Sequence, residues 1–227
     1  VMAISESTAR DIHESLGIPR EKIDVAACGY DQERFMPLAQ ADIAAFKQRM
    51  GLPERFWLFV GTLEPRKNLI TLIEAYARLP VHERLPLIIG GGKGWLYDEI
   101  FAAVTRHQLG ESIRFAGFLN ADDLPLWYNS AEVFVYPSIF EGFGLPVLEA
   151  MACGTPVIVS DASSLPEVVG ESGLKIPARD IDAWADALRM AYSDVSWRES
   201  TGQHGLIETR RYNWALTAQT VTNTYRQ

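Results

Sequence analysis

Short apolar runs alternate with stretches of helical periodicity from about residue 56 onward. This alternation is typical of a parallel sheet whose two faces are covered by helices. We therefore predict an α/β fold with a doubly wound, Rossmann-like parallel sheet. The predicted strands are residues 56–60, 85–89, 112–116, 133–136, 156–159 and 174–176, and the clearest predicted helices are residues 68–79, 97–108, 121–129, 146–152 and 181–192. Ligands of such sheets bind beyond the carboxyl ends of the strands, so we expect a site in the loops that follow them.

The composition is that of a globular protein and argues against a membrane-spanning or nucleic-acid-binding one. The chain has 227 residues, of which 48% are apolar, so it can bury a full core. No apolar run approaches the roughly 18 to 20 residues that span a bilayer, and we expect a cytoplasmic protein. The net charge of −8 argues against nucleic acid as a partner, because nucleic-acid binding depends on Lys and Arg side chains that neutralise phosphates.

A glycine loop that leads into a proline-started helix follows the predicted strand 133–136. Pro146 suits the first helical position, and Gly142 and Gly144 let a ligand approach the backbone closely. The helix dipole and the unpaired N–H groups at a helix start favour an anion such as phosphate. We expect the free amides to be those around Leu145, Val147 and Leu148.

Two carboxylates flank this loop and change the expected ligand. Glu141 precedes the glycines, and Glu149 lies within the predicted helix. Carboxylates repel a bare phosphate but accept hydrogen bonds from hydroxyl groups, such as those of a sugar and a ribose. The segment therefore predicts a site for a nucleotide sugar.

Around these residues the sequence resembles the retaining glycosyltransferases of family 4, which have the GT-B fold. The family signature is two glutamates separated by seven residues around a Gly-Phe-Gly-Leu-Pro core, and Glu141 and Glu149 meet that spacing. The resemblance implies that this chain is the C-terminal, donor-binding half of a GT-B fold, that Glu141 lies against the donor sugar and that Glu149 holds the ribose hydroxyls. It also implies loop contacts with the sugar and the diphosphate, made by Phe143, Gly144, Leu145, Val147 and Leu148.

Two adjacent cations, Arg66 and Lys67, follow the first predicted strand. Arg66 offers a planar fork for phosphate oxygens and Lys67 a point charge, so the pair can neutralise a diphosphate. The resemblance implies the same role and puts Gly61 and Thr62 beside the donor. Many relatives carry an Arg where this chain has Thr62, and we expect Arg66 to take over the role of that Arg in binding the diphosphate. The alternative is a solvated basic pair at a helix start, which would oppose the helix dipole.

Phe118 and Leu119 follow the third predicted strand and resemble the loop through which the family contacts the nucleotide base. Backbone atoms of such a loop can read the base edge, so the side chains do not reveal whether the base is guanine or uracil. The glycine-rich run 90–94 has neither the GxGxxG spacing of a dinucleotide site nor the GKS or GKT of a P-loop. We expect it to form a turn near the nucleotide cleft.

Asp180 and Asp182 mimic the metal motif of another glycosyltransferase fold. Asp180 is also placed to cap the predicted helix 181–192, and we favour capping. The GT-B resemblance implies chemistry without a metal. We expect no metal and no cofactor, with the nucleotide sugar as substrate.

The two ends of the chain suggest a missing half. Residues 1–35 resemble the end of an N-terminal domain and the interdomain hinge, with Cys28 and Tyr30 in place of the usual Asn and Val. Residues 36–210 form the predicted nucleotide-sugar-binding domain, and residues 211–227 resemble the C-terminal crossover helix. The resemblance therefore implies the protein's own N-terminal domain as a partner, and that domain would carry the acceptor site.

The function implied is retaining transfer of a hexose from a nucleotide diphosphate sugar to a sugar or lipid-linked acceptor. GDP-mannose is favoured over a UDP-sugar, because residues 62–68 resemble bacterial mannosyltransferases of surface polysaccharides. One alternative is a nucleotide-sugar binding module that is inactive until another domain or chain completes it. Another is a GT-B epimerase or phosphorylase. The full protein is expected in the cytoplasm or peripherally at the inner face of the membrane.

Overall fold

A six-stranded parallel sheet forms the centre of the computed structural model, which describes residues 1–226. In chain order the strands are β1 (Met2–Ala3), β2 (Asp24–Val25), β3 (Trp57–Val60), β4 (Leu87–Gly90), β5 (Ile113–Gly117), β6 (Val133–Tyr136), β7 (Val157–Ser160) and β8 (Leu174–Ile176). The helices are α1 (Glu6–Leu16), α2 (Gln40–Met50), α3 (Leu69–Ala77), α4 (Asp98–Arg106), α5 (Leu124–Ser130), α6 (Leu145–Ala152), α7 (Leu165–Val169), α8 (Ile181–Ser193), α9 (Val195–Glu208) and α10 (Trp214–Arg226).

The main sheet is doubly wound, as the alternating sequence pattern predicts. Its spatial order is β5-β4-β3-β6-β7-β8, and all five neighbouring pairs are parallel. The chain moves outward from β3 to β5 and then outward in the opposite direction from β6 to β8. The strand order therefore reverses between β3 and β6, which is where sheets of this kind open a crevice for a ligand.

Two groups of helices cover the sheet. Helix α3 packs against α4 and α8, whereas α6 packs against α5, α7 and α9. The strands read as continuous apolar runs because both of their faces are buried, and Trp57, Leu58 and Phe59 have no exposed surface. Among residues 1–226, no helix combines the length and the apolar character that crossing a bilayer requires.

The predicted strands end within two residues of the observed ones. Helices α2 and α9 lie outside the predicted set, and α9 shows why. It contains Gly202 and Gly205, which weaken intrinsic helix propensity. A Cβ atom at Gly202 would come within 2.4 Å of the Gly154 carbonyl oxygen, so the glycine permits a close contact that stabilises the helix through packing. The Asp180 carboxylate caps α8 by accepting from the Ala183 amide at 3.0 Å, which confirms the capping prediction.

The N-terminal segment forms a separate small sheet. Strands β1 and β2 pair in parallel, and Ala3, Ala9 and Ile23 make a second, smaller core beneath α1. The chain then passes Gly29, where a Cβ atom would lie 2.3 Å from the Trp214 backbone nitrogen at the start of α10. The segment after β2 and the last helix are thus packed together at a point where only a glycine fits.

We predict that Gly29→Ala loosens α10 from the segment after β2. The added methyl group collides with backbone atoms that cannot rotate away, so we expect the free energy of unfolding to fall by about 1 to 3 kcal/mol. Amide hydrogen exchange should accelerate in residues 214–226. Gly110→Ala is the matched control, because nothing lies within 4 Å of a Cβ atom at that position. Unchanged exchange in α10 of the Gly29→Ala variant would contradict this account.

Candidate functional site

The loops that follow β3 and β6 meet at the point where the strand order reverses. Residues Pro65–Lys67 form a single 3-10 turn after β3. The Arg66 carbonyl oxygen accepts hydrogen bonds from the Ile139 amide at 2.9 Å and from the Ser138 hydroxyl at 3.0 Å. These bonds join the two loops through their backbones, so side chains from both are held in one place.

Glu141 is the centre of a buried ion cluster in these loops. Its carboxylate is bound by the Lys67 ammonium at 2.6 Å, by Nη1 of Arg66 at 2.8 Å and by the Ser138 hydroxyl at 2.6 Å. Burial alone would raise the pKa of Glu141, but the charge of Lys67 and the hydrogen bonds from Lys67, Ser138 and Arg66 hold that pKa below its usual range. Glu141 is therefore ionised at neutral pH although only 8% of the residue is exposed.

Lys67 is enclosed rather than solvated. Only 6% of the residue is exposed, and its ammonium donates to the Tyr136 hydroxyl at 2.6 Å as well as to Glu141. Burial lowers the pKa of Lys67, and the neighbouring carboxylate of Glu141 opposes that shift without cancelling it. The alternative of a solvated basic pair is therefore wrong for Lys67, because the tertiary fold buries the side chain beside a carboxylate.

Arg66 is held from two sides and remains partly open to solvent. Its Nε and Nη2 atoms donate to Glu64 at 3.0 and 2.6 Å, and Nη1 donates to the Phe140 carbonyl oxygen at 2.6 Å in addition to its pairing with Glu141. About a third of the side chain, 37%, is exposed. The guanidinium is thus fixed in direction, and part of its surface stays exposed to solvent.

Four successive backbone amides directly follow Glu141 in the chain. Within residues 1–226, the N–H groups of residues 142–145 donate to no acceptor. Gly144 has a φ of 113° and caps α6, which begins at Leu145 rather than at Pro146. Because of this geometry the Val147 and Leu148 amides donate to the Gly144 carbonyl oxygen, at 3.0 and 3.2 Å. Our expectation that those two amides are free was wrong, and the free donors lie earlier in the chain.

Among these four residues, Phe143 has a side chain that is packed in the core. Its side chain is 3% exposed and packs edge to face against Tyr212, with ring centroids 5.5 Å apart. At Gly144, a Cβ atom would lie 2.8 Å from a methyl group of Leu165. Packing therefore buries the Phe143 side chain and leaves no room for a side chain at Gly144, while the four N–H groups have no acceptor among residues 1–226.

Glu149 occupies a different environment from Glu141. It lies in α6 and accepts one hydrogen bond, from the Tyr128 hydroxyl at 3.0 Å. Burial raises the pKa of Glu149 to about 7, against the smaller opposing effects of Tyr128 and the charge of Arg34. No cation within residues 1–226 pairs with it.

The remaining predicted residues lie along the same carboxyl edge of the sheet. Gly61 and the exposed Thr62 follow β3. Phe118 and Leu119 follow β5, two strands away; the Phe118 ring is 84% exposed, whereas Leu119 covers Gly90. In the described part of the chain, no group of three or more His, Cys, Asp and Glu side chains is arranged to hold a metal ion.

The sequence pattern did not single out several residues that hold the site. Glu64 orients Arg66, Tyr136 and Ser138 contact the buried ion cluster, and Tyr128 binds Glu149. Glu64 could have been noticed as an acid two residues before the cation that it binds. The two tyrosines carry no such signal, because they reach the site only through the pairing of strands and helices.

We predict that Glu149→Gln stabilises the protein at high pH. At pH values between the ordinary pKa of a glutamate and about 7, the folded protein keeps a proton on Glu149 that the unfolded chain has already released. The contribution of Glu149 to the free energy of unfolding therefore falls as pH rises through this range. The variant avoids that cost, which is about 2 to 3 kcal/mol when fully developed. Urea unfolding at about pH 8 should show a more stable variant, and at about pH 5 a much smaller difference.

Glu111→Gln serves as the control for that measurement, because Glu111 is exposed and no ion pair involves it in the described residues. It should give the same difference from the parent protein at both pH values. Our account of Glu149 would fail if Glu149→Gln were no more stable than the parent at the higher pH.

Comparison with known proteins identifies the family of this chain. Residues 41–206 match the family described as Glycosyl transferases group 1. The O-antigen chain mannosyltransferase B of Escherichia coli is 38% identical over 100% of this chain and 60% of its own length. The D-inositol 3-phosphate glycosyltransferase of Kribbella flavida is 34% identical over 100% of this chain and 56% of its own.

Solved structures share the fold. Sucrose-phosphate synthase from Thermosynechococcus elongatus superposes with a TM-score of 0.87 at 30% identity, covering 100% of this chain and 57% of its own. Anabaena HepE, solved with UDP and glucose, gives a TM-score of 0.89 at 24% identity and covers 100% and 62% of the two chains. These structures are GT-B glycosyltransferases, which confirms the predicted fold class. The chain spans between 56% and 62% of the length of these four relatives. The chain belongs to the glycosyl transferases group 1 family.

Proposed function

We propose that this chain supplies the donor-binding part of a retaining glycosyltransferase that moves a hexose, with mannose favoured, from a nucleotide diphosphate sugar. One observation carries the proposal: the buried cluster of Arg66, Glu141 and Lys67 forms where the strand order reverses, and four successive amides without an acceptor directly follow Glu141 in the chain. Cations and free N–H groups suit a diphosphate, and an ionised carboxylate suits sugar hydroxyls.

The diphosphate would bind between the cations, Arg66 and Lys67, and the free amides of residues 142–145. When the glycosidic bond breaks, negative charge develops on the diphosphate, and Arg66, Lys67 and the amides of residues 142–145 stabilise it without reorganising. Glu141 stays ionised because of its cations, so it can orient sugar hydroxyls and face the positive charge that develops on the sugar. The acceptor hydroxyl would then attack from the face that the leaving group occupied, which gives retention.

The nucleoside would extend from this centre along the carboxyl edge of the sheet. Glu149 would accept hydrogen bonds from the ribose hydroxyls, and the backbone of Phe118 and Leu119 after β5 would contact the base. Gly61 and Thr62 lie after β3, next to the cations, beside the path of the donor. Relatives named as mannosyltransferases support GDP-mannose as the donor, while the complex of HepE with UDP and glucose keeps a UDP-sugar as the competing choice.

The acceptor and the N-terminal domain are part of the same proposal. We propose a sugar or lipid-linked acceptor, presented in the cytoplasm or at the inner face of the membrane, and acceptor binding completed by the protein's N-terminal domain. A second candidate is a donor-binding module without turnover of its own. It accounts equally well for the buried ion cluster and the four free amides, which need only bind a diphosphate.

Calorimetric titration of the chain with GDP, UDP, ADP and NAD tests the donor site. We expect GDP to bind most tightly, and Lys67→Met to weaken it by about tenfold or more because a buried cation is lost from the diphosphate. Lys22→Met is the matched control, because Lys22 is exposed on the loop before β2. Thermal unfolding of each variant separates lost binding from lost folding. Tightest binding of UDP would reassign the donor base, and a folded parent protein that binds no nucleotide would overturn the proposal.

Glu64→Gln gives a finer test of the Arg66 assignment. The variant releases the guanidinium from one of its two carboxylates, and we expect GDP affinity to fall about three- to tenfold while GMP affinity changes little, because GMP lacks the second phosphate. Comparing the two affinities removes general effects on folding. An equal loss for GDP and GMP would mean that Glu64 does not orient Arg66 toward the diphosphate.

A further inference from the structure

A cavity of about 520 Å³ lies between α1 and the loops that follow β6 and β7. This volume is within the range of small-molecule sites. The side chains of Arg66, Lys67 and Glu141 are not part of the lining of this cavity. It is lined by Ser7, Arg10, Asp11, Glu14, Ile139, Phe140, Asp161, Ser163, Pro166 and Glu167.

The cavity and the ion cluster share one segment of backbone. The Ser163 hydroxyl donates to the Glu141 carbonyl oxygen at 2.6 Å, and the Glu141 amide lies 3.2 Å from the same hydroxyl. Phe140, the next residue, lines the cavity. A ligand in the cavity would therefore lie against the segment whose carboxylate faces the proposed donor sugar.

The charges in the cavity select against an anionic ligand. Four carboxylates, those of Asp11, Glu14, Asp161 and Glu167, accompany a single guanidinium, that of Arg10. A nucleotide or another phosphorylated compound would be repelled, whereas neutral hydroxyl groups can donate to carboxylates. The chemistry therefore favours a polyhydroxylated, uncharged molecule.

Some of these groups are occupied and others are available. Glu167 accepts the amides of Glu6 and Ser7 at 3.1 and 3.2 Å, so it is used to fix the start of α1. By contrast, the side chains of Arg10, Asp11 and Glu14 make no hydrogen bond or ion pair within residues 1–226. They lie on one stretch of α1 beside the cavity.

An aromatic side chain completes the lining. Phe140 is 51% exposed, although it sits in a loop whose neighbours Ile139 and Glu141 are more enclosed. An exposed ring beside free carboxylates offers an apolar face for the C–H side of a sugar ring and acceptors for its hydroxyls. About half of the Phe140 surface stays in solvent, so the ring contributes less burial to the fold than an enclosed ring would.

We propose that this cavity binds the terminal sugars of a neutral glycan acceptor, with Phe140 as the apolar platform and Asp11, Glu14 and Arg10 as hydrogen-bonding groups. The inference rests on the proposed function, because it deepens the same site by adding an acceptor subsite to the donor subsite. It also assigns α1 a direct role in acceptor recognition.

Amide chemical-shift mapping of the full 227-residue chain tests the proposal, with α-linked mannobiose as the probe. We expect mannobiose to shift amides of α1, Phe140 and Ser163, with or without GDP, while GDP shifts amides of residues 142–145 and those after β5. Mannose 6-phosphate should bind more weakly than mannobiose, because its charge is repelled by the carboxylates.

The double substitution Asp11→Ala and Glu14→Ala supplies the variant. Both residues lie on α1, where alanine favours the helix, so the fold should persist. We expect mannobiose affinity to fall by about fivefold or more and GDP affinity to stay the same. Glu199→Ala, on the exposed side of α9, is the matched control and should change neither affinity.

The outcomes separate the two proposals. GDP binding without any mannobiose shift at the cavity, or with shifts confined to another surface, overturns the acceptor subsite and leaves the donor site standing. Equal binding of mannose 6-phosphate would also overturn it, because the charge argument would be wrong. A folded chain that responds to neither probe overturns the proposed function itself.

Discussion

The buried pairing of Glu141 with Lys67 and Arg66 is the interaction on which the rest of the site depends. The three side chains come from the loops after β3 and β6, which are neighbours in the sheet although about seventy residues separate them in sequence. Removing one partner of a buried ion pair leaves an uncompensated charge and typically costs about 3 to 5 kcal/mol. The cluster therefore holds the two loops together, and in the proposed function it also supplies charge to the ligand. Lost binding in a variant at any of its members has to be separated from a folding defect.

The loop after β6 and the helix α6 that follows it each carry a glutamate, and the electrostatic environments of the two differ. Glu141 lies against two cations and a hydroxyl, which keep its pKa low in spite of burial. Glu149 lies in α6, where burial raises its pKa to about 7 against the smaller opposing effects of the Tyr128 hydrogen bond and the charge of Arg34. An ionised group suits contact with a sugar that becomes cationic, whereas a group that is partly protonated near neutrality can both accept and donate hydrogen bonds to ribose hydroxyls. Spacing alone treats the two residues as equivalent, and their surroundings distinguish them.

The N-terminal segment links the proposed donor and acceptor subsites. Glu167, after β7, binds the first amides of α1, and the Ser5 hydroxyl donates to the Gly142 carbonyl oxygen at 2.7 Å. The start of α1 is therefore attached to the loop that holds the free amides, while the exposed side of the same helix lines the cavity. Movement of this segment would change the crevice and the cavity together, because they share the backbone on either side of Glu141.

The sequence by itself determined the parallel sheet, the position of the site beyond the strands and the residue types that carry charge. These follow from local rules: apolar runs of strand length, glycine before a proline-started helix and adjacent cations after a strand are each visible within a few residues. Only the tertiary structure decided that Lys67 is enclosed, that Glu64 directs Arg66, that the free amides are those of residues 142–145 and that Glu149 forms no ion pair within residues 1–226. The physical reason is that burial, pKa and hydrogen-bond pairing depend on which distant segments are brought into contact, and the pairing of β3 with β6 and the packing of α5 beside α6 make those contacts.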